Sequence, residues 1–200
     1  MNRRAMLPFF RTLTLFAAPL LLAACSAEPR PEPPLAGAAI GGEFTLVDKN
    51  GKQVRWSQFD GQWRTIYFGY TFCPDACPLD LGVLMKGFRL FEKAHPDLAA
   101  KVQPLFVTID PERDGPKEVG EFAAAFHPRL IGLTGTPAQI EAAAKDFAIY
   151  YQKGEETAGG YLMDHSRQAY LMDPQGKPIA ILPVDQSPQA VAAELEKWVK

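Results

Sequence analysis

Polar and apolar positions along this chain keep two different rhythms, and the changes between them mark out the elements. Near-continuous apolar runs at Trp63–Tyr70 and Val102–Ile109 read as strands buried on both faces. Helical spacing takes over between and after them. Leu81, Leu84, Met85, Phe88 and Phe91 form one stripe along Leu79–Ala94, weakened by Gly82 and Gly87. Val119, Phe122, Ala123 and Phe126 form a second stripe along Pro116–Phe126. Thr136-Pro137-Ala138-Gln139 is a capping box with proline at the first helical position, opening a helix to about Ala148. Ser187-Pro188 opens a last helix that turns Val191, Leu195 and Trp198 inward. Leu130–Leu133 reads as a short strand and Ile149–Lys153 as an edge strand. Gly154–Gly160 reads as a flexible polar loop delivering Tyr161–His165. Two hairpins complete the pattern. Glu43–Val47 pairs with Gln53–Trp56 around Asn50-Gly51, which supplies the positive-φ turn, and Gln168–Asp173 pairs with Ile179–Leu182 around Pro174–Lys177. There is no internal repeat.

The N-terminus stands apart from this pattern. Arg3, Arg4 and Arg11 precede an apolar run, Thr12–Ala24, that Pro19 interrupts. That run is too short for a membrane span of about 20 residues and fits the core of a signal peptide. It ends in Leu22-Ala23-Ala24-Cys25, which resembles the bacterial lipoprotein cleavage box, so Cys25 is expected to become the acylated first residue. The alternatives are an uncleaved anchor or an ordinary signal peptide with an incidental cysteine. Removing residues 1–24 takes away three arginines and no acidic residue, moving the net charge from −2 to −5. Such a chain has no basic field for nucleic acid. Four prolines in Ser26–Ala36 make a semi-rigid tether. The organisation expected is therefore signal peptide 1–24, lipidated tether 25–40 and one folded domain, 41–200, facing outward from a membrane of the bacterial envelope.

With Cys25 taken by lipid, Cys73 and Cys77 are the only thiols. They lie where an apolar strand empties into a turn, with Pro78 suited to the first position of a following helix. A helix N-terminus favours thiolates, and residues four apart share one helical face. Alternating strands and helices with two hairpins, and a dithiol between an early strand and a helix, predict an α/β, thioredoxin-like domain. Its central mixed sheet should carry helices on both faces. A pair this close is a disulfide, a redox couple or a metal site. As a staple it would close too small a loop to stabilise much. His165 offers a third group. A lone histidine is ordinarily a surface or hydrogen-bonded residue, but this one follows a glycine-rich loop, with Asp164 and Ser166 beside it to orient its ring. His95 and His127 precede prolines at helix ends and read as structural, and Met85, Met163 and Met172 read as core filling. Two thiolates and an imidazole make a soft, three-coordinate site that suits copper better than zinc, which usually takes a fourth ligand.

Three segments together resemble the Sco (SenC) family: Tyr67–Pro78, Thr108–Asp114 and Asp164-His165-Ser166, in that order. The similarity covers most of residues 40–200. It implies a membrane-tethered, thioredoxin-like copper protein that delivers copper to the CuA site of cytochrome c oxidase during assembly, the ion being Cu(I) or Cu(II). Cys73, Cys77 and His165 fall on the family's copper ligands, and Asp110 on an acidic position beside its site. The expected partners are the oxidase subunit that carries CuA, other periplasmic copper carriers or thiol reductases, and a membrane reached through lipid on Cys25. Many family members use a transmembrane helix instead, and Ser26 after the lipidated cysteine hints at the outer membrane where oxidase assembly favours the inner. The resemblance implies a carrier rather than an enzyme. The enzymatic alternative is a thiol–disulfide oxidoreductase using Cys73 and Cys77 to reduce the partner's copper-site cysteines. A peroxiredoxin-like peroxidase ranks last, because it leaves the second thiol and His165 unused.

Overall fold

The computed structural model describes residues 31–157 and 160–200. The predicted signal peptide and the lipidation site Cys25 lie outside them. The elements, in chain order, are β1 (Thr45–Val47), β2 (Gln53–Arg55), β3 (Trp63–Gly69), α1 (Ala76–Ala94), α2 (Pro96–Ala99), β4 (Val102–Thr108) and α3 (Pro116–Phe126). There follow β5 (Ile131–Leu133), α4 (Pro137–Asp146), β6 (Tyr151–Thr157), β7 (Gly160–His165), β8 (Ala169–Met172), β9 (Pro178–Leu182) and α5 (Pro188–Trp198).

Five strands make the central sheet in the order β5-β4-β3-β8-β9. β3 runs parallel to β4, and β4 to β5, while β8 and β9 are antiparallel additions on the other side. The two continuous apolar runs of the sequence are thus the two inner strands β3 and β4, buried on both faces as their composition requires. Tyr67 and Phe106 are in register and face one way, meeting Asp80 of α1 and Phe122 of α3. Phe68 faces the other way against Phe147, just past α4, which also touches Phe44 and Trp56. Helices therefore cover both faces of a mixed sheet, as expected of a thioredoxin-like fold. The predicted stripe of α1 is buried throughout. α1 also packs on α5, and here Gly87 is required: a Cβ at that position would lie 2.6 Å from Cβ of Val191.

Several local expectations change. α1 begins at Ala76 rather than Leu79, so Cys77 sits in its first turn and Pro78 is the third helical residue. Proline costs nothing there either, because the first-turn N–H groups have no intrahelical acceptor. The segment read as an edge strand and a flexible loop is instead one strand, β6, running through Thr157. It pairs antiparallel with β7 in a two-stranded ribbon apart from the central sheet, with a register shift between Lys153 and Glu156. Gln152, Lys153, Glu155 and Glu156 are too polar for a buried sheet, and a ribbon satisfies their backbone while leaving the side chains in water. At the start of the domain the compact unit begins at Glu32, ahead of the expected Gly41. Leu35 donates its N–H to the Ile179 carbonyl at 3.1 Å, and both Leu35 and Ile40 pack on the core. Among the described residues no helix is long and apolar enough to cross a membrane.

Candidate metal centre

Parallel strands β3 and β4 both point their carboxyl ends at one edge of the sheet, where open α/β folds place their chemistry. β3 stops at Gly69, and Tyr70–Asp75 form the turn that leads into α1. Cys73 is half-buried on that turn, and Cys77 is fully buried in the first helical turn. Gly69 makes room for it: a Cβ on Gly69 would sit 3.0 Å from Cys77 Sγ. His165 is the last residue of β7. Its Nε2 lies 3.2 Å from Cys77 Sγ, although 88 residues separate the two. Cys73 Sγ accepts the Cys77 N–H at 3.3 Å, and the three ligand atoms of Cys73, Cys77 and His165 lie within 4.8 Å of one another. Both cysteines are free thiols. Atoms this close can share one centre, at metal–sulfur and metal–nitrogen lengths of about 2.0–2.3 Å, with a small inward adjustment.

His165 Nδ1 lies 2.6 Å from the Ser166 carbonyl oxygen. Donation from Nδ1–H to that oxygen selects the tautomer that leaves the Nε2 lone pair aimed at the thiols. Burial lowers the pKa of His165 below 6.5, partly opposed by the Ser166 contact and the Asp80 carboxylate. The imidazole is thus neutral at pH 7 and ready to coordinate. The two thiols, which a helix N-terminus was expected to activate alike, differ. Burial works against ionising Cys73, yet the N–H groups of Cys77 and Asp75 and the side chains of Cys77 and Tyr70 outweigh it and lower its pKa. Burial pushes the Cys77 thiol up, and its contacts with Tyr70 and Tyr67 do not offset that.

Half-buried His165 and buried His127 make metal-free stability pH-dependent. Burial also lowers the pKa of His127, against the pull of Glu92. For both residues the unfolded chain holds more protons than the folded one below about 6.5, so the stability they contribute is present above that value and is lost as the pH falls. The urea midpoint of the metal-free protein is expected to drop between pH 7 and pH 5, and to drop less in a His127→Gln/His165→Gln variant. Equal drops in the two proteins would refute this.

The other predicted positions are placed as follows. Asp110 is buried, pairs with Arg113 at 2.5 Å and accepts from the Tyr161 hydroxyl at 2.8 Å. Arg113 in turn lies over the rings of Tyr161, Phe72 and Tyr70. Asp164 is exposed on β7 opposite Gln152, and the ring of His165 is held by the backbone of Ser166 instead. His127 and His95 pair with Glu92 and Glu196 away from the thiols. Met85 and Met172 are in the core, and the Met163 N–H donates to the Tyr70 hydroxyl. Sequence reasoning missed Tyr67 and Tyr70, whose rings stand edge-on to the imidazole with centroids 6.4 and 5.9 Å away. It also missed Asp80 and Arg167, which meet at 2.6 Å. A carboxylate among the apolar positions of α1 was the one available signal.

A family model described as SCO1/SenC matches residues 32–200. The chain belongs to the SCO1/SenC family. Protein SCO1 homolog 1, mitochondrial, of Arabidopsis thaliana is 44% identical over 145 residues, which are 72% of this chain and 42% of that protein. A SCO2-like protein of Rickettsia felis is 37% identical over 171 residues, covering 80% of this chain and 82% of that one. Among solved structures, Bradyrhizobium japonicum ScoI with copper bound superposes with a TM-score of 0.72 at 37% identity, over 80% of this chain and 99% of that chain. This Sco chain therefore spans less than half the length of its plant relative and most of the length of its bacterial ones.

Proposed function

We propose that this protein binds copper through Cys73, Cys77 and His165 and hands it on as a metallochaperone, copper being its cargo. The observation that carries the reading is the convergence of an imidazole nitrogen and two sulfurs from segments 88 residues apart. Two sulfurs and a neutral nitrogen are soft donors and suit Cu(I). Half-buried Cys73 leaves one side of the group accessible, and an incoming thiolate can bind there before the resident ligands let go. The copper-bound ScoI relative supports the choice of metal. The recipient we propose is the cytochrome c oxidase subunit that carries CuA. The chain would reach it from a membrane surface, tethered through lipid on Cys25 with the domain outside the cytoplasm.

The test is metal analysis and Cu(I) titration of the reduced protein. One equivalent is expected to bind, and His165→Ala should weaken binding by about 10–100-fold or more, since even outer partners of metal ligands carry costs of that size. Unchanged affinity in His165→Ala would overturn the reading.

One observation favours thiol–disulfide exchange as a second activity of the same pair. Cys73 is the more accessible thiol with the lowered pKa, and Cys77 is buried with a raised one. That is the division of labour between an attacking and a resolving cysteine. Cys73 thiolate would attack a partner disulfide and release one partner thiolate. Cys77, giving up its proton, would then displace the second and leave a Cys73–Cys77 disulfide with the partner reduced by two electrons. Exchange should survive His165→Ala, whereas copper binding should not.

A further inference from the structure

Among the described residues β7 takes its ladder bonds from β6. Further contacts tie Met163 to the Tyr70 hydroxyl, the Tyr161 carbonyl to Arg113 and Ser166 to Tyr150, but none of these reaches the helix that presents Cys77, 3.2 Å from His165. The sheet resumes at Ala169, and the intervening residues Ser166–Gln168 are where the chain crosses from ribbon to sheet. From the middle of that crossing Arg167 reaches helix α1. Its Nε donates to Asp80 Oδ2 at 2.9 Å and its Nη2 to Asp80 Oδ1 at 2.6 Å, a planar two-bond fork. Asp80 is three residues after Cys77 on the same buried face of α1. Its Oδ2 also accepts the Tyr67 hydroxyl from β3 at 3.0 Å. One carboxylate thus gathers the helix that presents the buried thiol, the strand beneath it and the crossing that presents the imidazole.

We propose that Asp80 and Arg167 are positioning residues of the metal centre. Their paired contact braces the His165 segment against the first turn of α1, and so governs the third ligand rather than the thiol pair. Two parallel bonds fix both the distance and the orientation of the two segments, which a single point charge does not. Ser166 lies between the brace and the ligand; its carbonyl orients the imidazole and Tyr150 holds its N–H and hydroxyl, so Arg167 is the contact that ties this carbonyl to α1. This rests on the copper reading for its affinity readout only.

The experiment uses the full mature chain, with Arg167→Ala, Arg167→Lys and Asp80→Asn each made in wild-type and His165→Ala backgrounds. Cu(I) affinity is measured by chelator competition. Carbethoxylation of His165 in the metal-free protein is followed by peptide mapping. Arg167→Ala is expected to lower Cu(I) affinity by about 10–100-fold and to speed modification of His165, with Arg167→Lys recovering only part of each. In the His165→Ala background the same change should cost no further affinity, because the brace acts through the ring it positions. An equal loss in both backgrounds would make the pair a general structural contact and overturn the proposal, as would unchanged affinity with unchanged modification. If Arg167→Ala does not fold, Asp80→Asn, which keeps the volume and the Tyr67 acceptor, decides by the same two criteria. If the wild type binds no Cu(I), the copper reading fails, and the modification rates still decide the brace.

Discussion

Replacing Cys77 by serine is expected to leave the reduced protein unable to retain Cu(I) under competition, with a loss well beyond about 100-fold. Serine keeps the shape of the site but exchanges a polarisable sulfur for a hard oxygen that keeps its proton at neutral pH, and soft donors are what hold this ion. Cys73 and His165 alone would remain, one half-buried and the other held by a ribbon. The protein itself should survive the change. The new hydroxyl would sit within reach of the His165 ring, which lies 3.2 Å from the present sulfur, so its burial does not leave it unpaired. Copper retention after chelator challenge, read beside the urea midpoint of the metal-free protein, checks both halves. Copper held at wild-type affinity would remove Cys77 from the ligand set.

The largest loss of stability is expected from Asp114→Ala. Asp114 is fully buried just beyond β4, and its carboxylate accepts three donors: Thr71 N–H at 2.9 Å, Thr71 Oγ1 at 2.5 Å and Thr108 Oγ1 at 2.6 Å. Truncation would strand those donors away from water, at about 1–3 kcal/mol for each one left unpaired. A total of about 3 kcal/mol or more corresponds to a fall in Tm of roughly 6–12 °C for a domain of this size. Burial raises the pKa of Asp114, with the threonine hydrogen bonds pulling the other way. Asp114→Asn should recover much of the loss, since its amide oxygen can take the place of Oδ2 and its N–H can donate to Thr71 Oγ1, a hydroxyl that also accepts. Thr71 opens the turn that carries Cys73, so Cu(I) affinity should fall together with stability. A Tm unchanged to within about 1 °C would show that the turn is held by something else.

The two losses differ in kind, and that difference bears on what could be read in advance. Cys77 announces its chemistry in the sequence, by its spacing from Cys73 and by the strand and helix on either side. Asp114 sits in a polar run, Asp110–Asp114, that reads as a polar loop at a strand end, and the approach of Thr71 from another strand end, with Thr108, turns it into a buried anchor. Asp80 is a similar case, since one carboxylate in an apolar stripe gives no hint of which cation will meet it. The ribbon β6–β7 was misread for the converse reason. Its polar residues suit a loop, and the strand they form exists because β7 supplies the hydrogen bonds.

By itself the sequence determined what nearest neighbours decide. Hydrophobic period separates strand from helix over a few turns, turn and capping residues punctuate the chain locally, and a dithiol flanked by strand and helix carries its own polarity. Those signals sufficed for the fold class, for α3 and α5 with their start positions, and for Cys73 and Cys77, whereas His165 is singled out by its motif and the family resemblance. Tertiary structure alone decided that the imidazole meets the sulfurs, that the two thiols ionise differently, and that Arg167 closes on Asp80 across 87 residues. Burial and long-range contact set those outcomes, and both depend on what the rest of the chain brings alongside each group.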